Sequence, residues 1–289
     1  MELELDRVTK NYGSKIACDR ISISFQKGVY GLLGANGAGK TTLMRMMCGV
    51  LAPTSGTVRF NGIDVGHEDY RDALGYLPQD FGYYPEFSAL DFMLYIGALK
   101  GLPKPRAKEK AWELLELVSL EKEAKKKIKT FSGGMKQRLG IAQSILNDPR
   151  ILILDEPTAG LDPKERVRFR NLISRLGTDR IILLSTHIVS DVEHIANTIL
   201  VMKNGQLIHQ GTRDEIIQAI DGKIWECTLP QSEADIMCEK YPIINLRQEE
   251  TAEVFVRLVS DEKPCASAVT AQATLEDLYL YYFSEVSEQ

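Results

Sequence analysis

The stretch VYGLLGANGAGKTTL, residues 29–43, decides how the rest of the chain is read. Its first five residues are an apolar, strand-length run. GANGAGKT at 34–41 then satisfies the spacing G-x-x-x-x-G-K-[ST], and a segment of helical character follows. The glycines let backbone N–H groups turn inward, a helix N-terminus beginning at residues 40–42 adds its dipole, and Lys40 supplies a cation. Those are the requirements for cradling the β- and γ-phosphates of ATP, with the Thr41 hydroxyl placed to reach Mg²⁺. Gly34, Asn36, Gly37, Ala38, Gly39, Lys40, Thr41 and Thr42 are therefore the expected nucleotide contacts.

A second motif lies downstream. In ILILDEP, residues 151–157, four strand-forming residues lead to Asp155 and Glu156. This puts both carboxylates at the carboxyl end of a buried strand, where open α/β sheets bind ligands. Asp155 suits holding Mg²⁺ through water, and Glu156, one residue on and pointing elsewhere, suits polarising a water in line with the γ-phosphate. The plainer alternative is a capping pair leading into the next helix, with Pro157 as the stop.

Working outward, residues 2–8 and 21–25 alternate apolar with polar, and further strand-like stretches occupy 57–60 and 29–33, which predicts an antiparallel β-layer at the start. From there to about residue 210, short buried strands alternate with helices: GLLGA then 40–50, ILILDEP then 163–176, IILLST then 188–196, and TILVM. That pattern predicts an α/β domain with a mainly parallel core sheet. Residues 88–148 interrupt it with helical periodicity, around 106–118 and after Ser132. GTRDEIIQAIDG at 211–222 reads as a capped helix ending at Gly222, and beyond it strand, helix, strand, strand and a closing aromatic-rich helix, TLEDLYLYYF, predict a small α+β unit. The expected division is 1–220 for the main domain, with its helical insertion, and 221–289 for a C-terminal accessory unit.

Composition narrows the class. The chain has 289 residues, 44% hydrophobic and 26% charged, with a net charge of −5. That balance argues against a nucleic-acid partner, which calls for a strongly basic surface. Cys18, Cys48, Cys227, Cys238 and Cys265 show no metal-binding spacing and read as free thiols of a reducing cytoplasm. The N-terminus lacks the apolar core of a secretory signal, and runs such as IILL at 181–184 are far below the roughly 20 residues that cross a bilayer.

With these motifs in place, about residues 1–218 resemble the nucleotide-binding subunit of ATP-binding cassette (ABC) transporters, of bacterial exporter type. The resemblance rests on an ordered set: Tyr12 in KNYGSK, the phosphate loop, Gln79 in YLPQD, FSGGMKQR at 131–138, the carboxylate pair, AGLD at 159–162 and His187 in LLSTH. It implies that Tyr12 stacks on adenine, Gln79 senses the γ-phosphate and the metal, and His187 is the switch histidine. It also implies that Ser132, Gly133 and Gly134 form the family signature and that Asp162 belongs to the D-loop. A further implication is a head-to-tail dimer with a second cassette, the signature of one closing on ATP held by the other, and a separate polytopic permease that holds the pair at the cytoplasmic face of the membrane. Met135 stands where the commonest signature has glutamine.

Taken singly, these residues have blander readings: Tyr12 as a turn aromatic, Gln79 as a surface loop residue, His187 as a structural strand-end histidine and Ser132 as a helix cap. Phe81, Tyr83, Tyr84, Phe87, Phe92 and Tyr95 fit either the core of the insertion or a groove for the permease. The runner-up function is a soluble cassette ATPase acting on nucleic acid or ribosomes. The absence of heptads and of a second phosphate loop weighs against it.

Overall fold

Among the residues described by the computed structural model, 1–249 and 253–283, the strands form three sheets. The first is antiparallel and contains β1 (Leu3–Tyr12), β2 (Lys15–Phe25), β4 (Ser55–Phe60) and β5 (Ile63–Asp64), in the order β2-β1-β4-β5. The alternation read at 2–8 and 21–25 marks only part of β1 and β2. Arg7 and Arg20 take left-handed backbone angles, and the β1–β2 register shifts between Leu5 and Val8, so a bulge breaks the period while the pairing continues.

The second sheet contains β3 (Gly28–Leu33), β6 (Leu74–Leu77), β7 (Ile151–Asp155), β8 (Ile181–Ser185), β9 (Thr198–Lys203) and β10 (Gln206–Gly211). Its order is β10-β9-β3-β8-β7-β6, parallel except for the β9–β10 pair. A parallel sheet must be covered on both faces, and the strand sequences show it: ILIL and IILL are apolar throughout. Ile151, Ile153, Ile181 and Leu183 face a core shared with the first sheet and with α1 (Lys40–Met47). Leu152, Leu154, Ile182 and Leu184 face the opposite core.

That second core is built largely from helices of the insertion, α3 (Ala89–Leu99), α4 (Lys104–Leu117) and α5 (Gly133–Ser144), together with α6 (Pro163–Leu176) and α7 (Val189–Ile195). α2 (Glu68–Ala73) precedes β6. Helices therefore occupy the region expected to be an insertion. The lysine-rich stretch 125–129 runs from one short 3₁₀ turn into the next, and Lys127 and Lys129 both pair with Glu86.

α8 (Arg213–Ile217) opens with a complete capping box between Thr212 and Glu215. The third sheet follows, with β11 (Ile224–Pro230), β12 (Ile243–Gln248), β13 (Glu253–Val259) and β14 (Val269–Thr270) in the antiparallel order β12-β13-β11-β14. α9 (Gln231–Lys240) packs on it, and α10 (Leu275–Phe283) closes the described chain. This sheet has a small core of its own, yet Ile224, Val259, Leu275 and Leu278 belong to the large core. Residues 250–252 and 284–289 of the expected accessory unit lie outside the described residues.

Candidate functional site

Register fixes the site. Leu32 of β3 and Asp155 of β7 both pair with Ser185 of β8, so three parallel strands end on one edge of the sheet. What each strand delivers there follows from its next residues.

β3 delivers the phosphate loop. Gly39 has φ of 109°, and a Cβ there would come within 2.2 Å of the Ala17 carbonyl; a Cβ on Gly34 would meet the Met202 carbonyl at 2.5 Å. Both positions therefore require glycine. α1 begins at Lys40 with no side-chain cap and no acidic residue in its first turn, which leaves its N-terminal amides and dipole available to an anion. Lys40, only 7% exposed, reaches back over the loop and donates to the carbonyls of Gly34 at 2.6 Å and Ala35 at 3.2 Å. Burial pushes its ammonium below the usual lysine range, while the charges of Glu156 and Asp155 oppose that shift.

β7 delivers the carboxylates. Asp155 is 1% exposed; Oδ1 accepts from the Ser185 hydroxyl at 2.6 Å, whereas Oδ2 has no hydrogen-bond partner among the described residues. A buried, unpartnered carboxylate oxygen is costly unless a cation completes it. Glu156 sits at φ of 52°, a conformation non-glycine residues seldom take, and the Ser185 carbonyl and hydroxyl hold its N–H at 3.2 and 3.1 Å. That turn sends its side chain away from Asp155's path, and Oε2 lies 2.9 Å from His187 Nδ1.

These groups meet in a cleft of about 450 Å³ lined by Tyr12, Asn36, Gly37, Gly39, Lys40, Thr41, Thr42, Gln79, Asp155 and Glu156, with Lys15 and Ala17. Gly34 and Ala38 are buried within the loop, and neither they nor His187 line the cleft. Tyr12 is 49% exposed at the rim.

The ABC transporter family profile matches residues 18–159. The ABC transporter ATP-binding protein YxlF of Bacillus subtilis (strain 168) is 39% identical over 220 residues, covering 75% of this chain and 72% of the relative. The chain belongs to the ABC transporter family, as one of its ATPase subunits. The Nod factor export ATP-binding protein I of Paraburkholderia xenovorans (strain LB400) is 34% identical over 282 residues, 96% of this ABC subunit and 92% of the relative. Among solved structures, an ATP-binding subunit of an ABC transporter superposes with a TM-score of 0.70 at 26% identity, over 76% of this chain and 93% of that one.

Not every sequence-predicted residue of the ABC subunit shares the cleft. Ser132 caps α5, its hydroxyl accepting from the Met135 N–H at 3.3 Å, and neither it nor Gly133, Gly134 or Asp162 lines the cleft. Gly133 leaves open space where a Cβ would stand, and Gly134 faces the Gly160 carbonyl, 3.2 Å from an added Cβ. Asp162 caps α6 by accepting from Glu165 N–H at 2.9 Å. Met135, partly buried, packs its apolar side chain against the large core.

The aromatic group divides. Phe92 is buried with Phe81 and Tyr83 against it, while Tyr84, Phe87 and Tyr95 form an outer cluster in which Tyr84 is 47% exposed. Two contributors were missed from sequence. Ser185 donates to the Asp155 carboxylate and accepts from the Glu156 N–H, and Gln137 donates to the carbonyls of Glu156 and Pro157 at 3.2 and 3.0 Å, tying α5 to the turn at Glu156. The only sequence signal for Ser185 is a polar residue closing an apolar strand.

Proposed function

We propose that this ABC subunit hydrolyses Mg-ATP in a clamp of two copies that close head-to-tail, and that the cycle drives export through a separate polytopic permease. The observation that carries the reading is the convergence, in one cleft, of the uncapped N-terminus of α1, Lys40 and the Glu156 carboxylate. The α1 amides and Lys40 bind the β- and γ-phosphates, and the exposed face of Tyr12 is placed for adenine. The Thr41 hydroxyl, Gln79 and the unpartnered Oδ2 of Asp155 are hard oxygen donors that fit Mg²⁺. Bound there, Mg²⁺ neutralises charge on the phosphates during transfer. Glu156 orients and polarises the attacking water, and His187 holds that carboxylate through Nδ1.

Ser132, Gly133, Gly134 and Asp162 stand outside the cleft of their own chain, which suits them to ATP held by the second copy. A separate permease and attachment at the cytoplasmic face follow from the family; the described residues include no helix long and apolar enough to cross a membrane. The outer aromatic cluster of Tyr84, Phe87 and Tyr95 supports a permease contact there. Export is supported by the relative named for Nod factor export, which aligns over nearly the whole chain. We place the division between cassette and accessory unit near residue 220, on the separate small core of the third sheet.

Replacing Glu156 by Gln tests the hydrolytic role. ATPase activity is expected to fall by about 10²–10⁴ while ATP affinity is kept; undiminished turnover would remove Glu156 from the mechanism.

A further inference from the structure

The C-terminal helix reaches the site from behind His187. α10 packs on α7, which begins two residues after that histidine. Tyr279 and Glu276 of α10 share with His187, Ile188 and Glu193 a cleft of about 320 Å³, separate from the one that holds the phosphate loop. His187 is tethered to Glu156 through Nδ1, and its side chain remains 59% exposed. α7 begins without a side-chain cap, and the backbone turn that carries the imidazole is held by the buried Thr186 hydroxyl, which accepts from the Ile188 N–H at 2.9 Å. Burial, and secondarily the negative charge of Glu156, push the Tyr279 phenol above its usual range, which agrees with a ring lying near the Glu156–His187 pair.

α10 is held firmly enough to act as a wall. Asp277, almost fully buried, accepts from Arg257 Nη2 at 2.6 Å, from Arg257 Nε at 3.0 Å and from the Thr274 N–H at 2.7 Å. At the other end, the Tyr282 carbonyl accepts from Lys203 Nζ at 2.8 Å, and its hydroxyl bonds His209 Nε2 at 2.7 Å. Leu275 and Leu278 are buried in the large core. The helix is thus anchored on β13 at its start and on β9 and β10 near its end, and Tyr279 lies between these anchors.

We infer that Tyr279 is a positioning residue for the hydrolytic pair: its ring, across the shared cleft from His187, limits how far the imidazole swings away from the Glu156 carboxylate. A wall that removes competing rotamers keeps a catalytic contact within the narrow geometry it needs. The C-terminal segment acts on turnover by this route, without touching the phosphates. The inference rests on the reading of Glu156 and His187 given above.

The test uses the full chain with Tyr279→Ala, Tyr279→Leu and Tyr279→Phe, alone and with His187→Ala. Ring ¹⁵N spectra of the nucleotide-free chain, which has four histidines, report on His187 without turnover. Tyr279→Ala and Tyr279→Leu are expected to shift the His187 ring signals and lower kcat about three- to tenfold, with the KM for ATP unchanged. Tyr279→Phe restores both, and in the His187→Ala background the Tyr279 substitutions cost nothing further. Tyr279→Leu keeps apolar volume on α10 should the alanine variant fold poorly. His187 signals and kcat both at the wild-type values in Tyr279→Leu would overturn the inference, as would a loss that persists without His187 or that phenylalanine does not restore. Full turnover of His187→Ala alone would instead overturn the underlying reading of the pair.

Discussion

Lys40 concentrates the physics of the site. It is a buried cation whose own loop carbonyls occupy two of its three donors, and the compensating charges of Glu156 and Asp155 stand at the end of a different strand. A phosphate gives that ammonium the anionic partner that burial denies it. Lys40→Ala should therefore weaken ATP binding by about 1.5–3 kcal/mol, roughly 10- to 150-fold, measured by calorimetric titration; unchanged affinity would mean that the loop does not hold phosphate. Lys40, Thr41 and the loop glycines were legible in the sequence because a local backbone shape dictates them, and Asp155 and Glu156 because the strand before them is apolar throughout. Ser185, Gln137 and Tyr279 were not legible. Each acts on residue 156 or its partner from 19 or more positions away in the chain, and no local pattern encodes such a pairing.

At the scale of elements, α7 links the sheet edge to the C-terminal helix. It lies against β3 at Gly31, where an added Cβ would come within 2.3 Å of Val192 Cγ1 and 3.2 Å of the Ala196 Cβ. Val192 is fully buried and cannot swing aside. Gly31→Ala should accordingly destabilise the fold by about 1–3 kcal/mol, read from urea unfolding, and should reduce turnover by displacing the helix behind His187. Wild-type stability would show that the β3–α7 contact is loose. The parallel strands could be read from sequence because burial on both faces demands unbroken apolar runs. β1 and β2 were read too short, since the bulges that let them twist also erase the alternation. The strand, helix, strand, strand succession expected after residue 222 matches β11 to β13, but the short β14 before α10 was not expected, nor was the seating of α10 on α7, because its aromatic face serves equally well to cap a small core.

Across the whole molecule, the phosphate loop and carboxylates occupy one cleft while Ser132, Gly133, Gly134 and Asp162 lie elsewhere. On the proposed reading, a single chain presents two half-sites, and the motor built from it needs a second cassette and a membrane partner. Affinity isolation of the tagged chain from detergent-solubilised native membranes should recover a polytopic protein whose spans are each about 20 residues; recovery of ribosomes or DNA in its place would favour the alternative function. The most direct test of the clamp is the solution mass of the Glu156→Gln chain with saturating Mg-ATP. Two copies closed on ATP would sediment at twice the 32.4 kDa chain mass and return to one chain mass when Ser132→Arg is added to the variant. A Glu156→Gln chain that binds ATP and stays at 32.4 kDa would contradict the account.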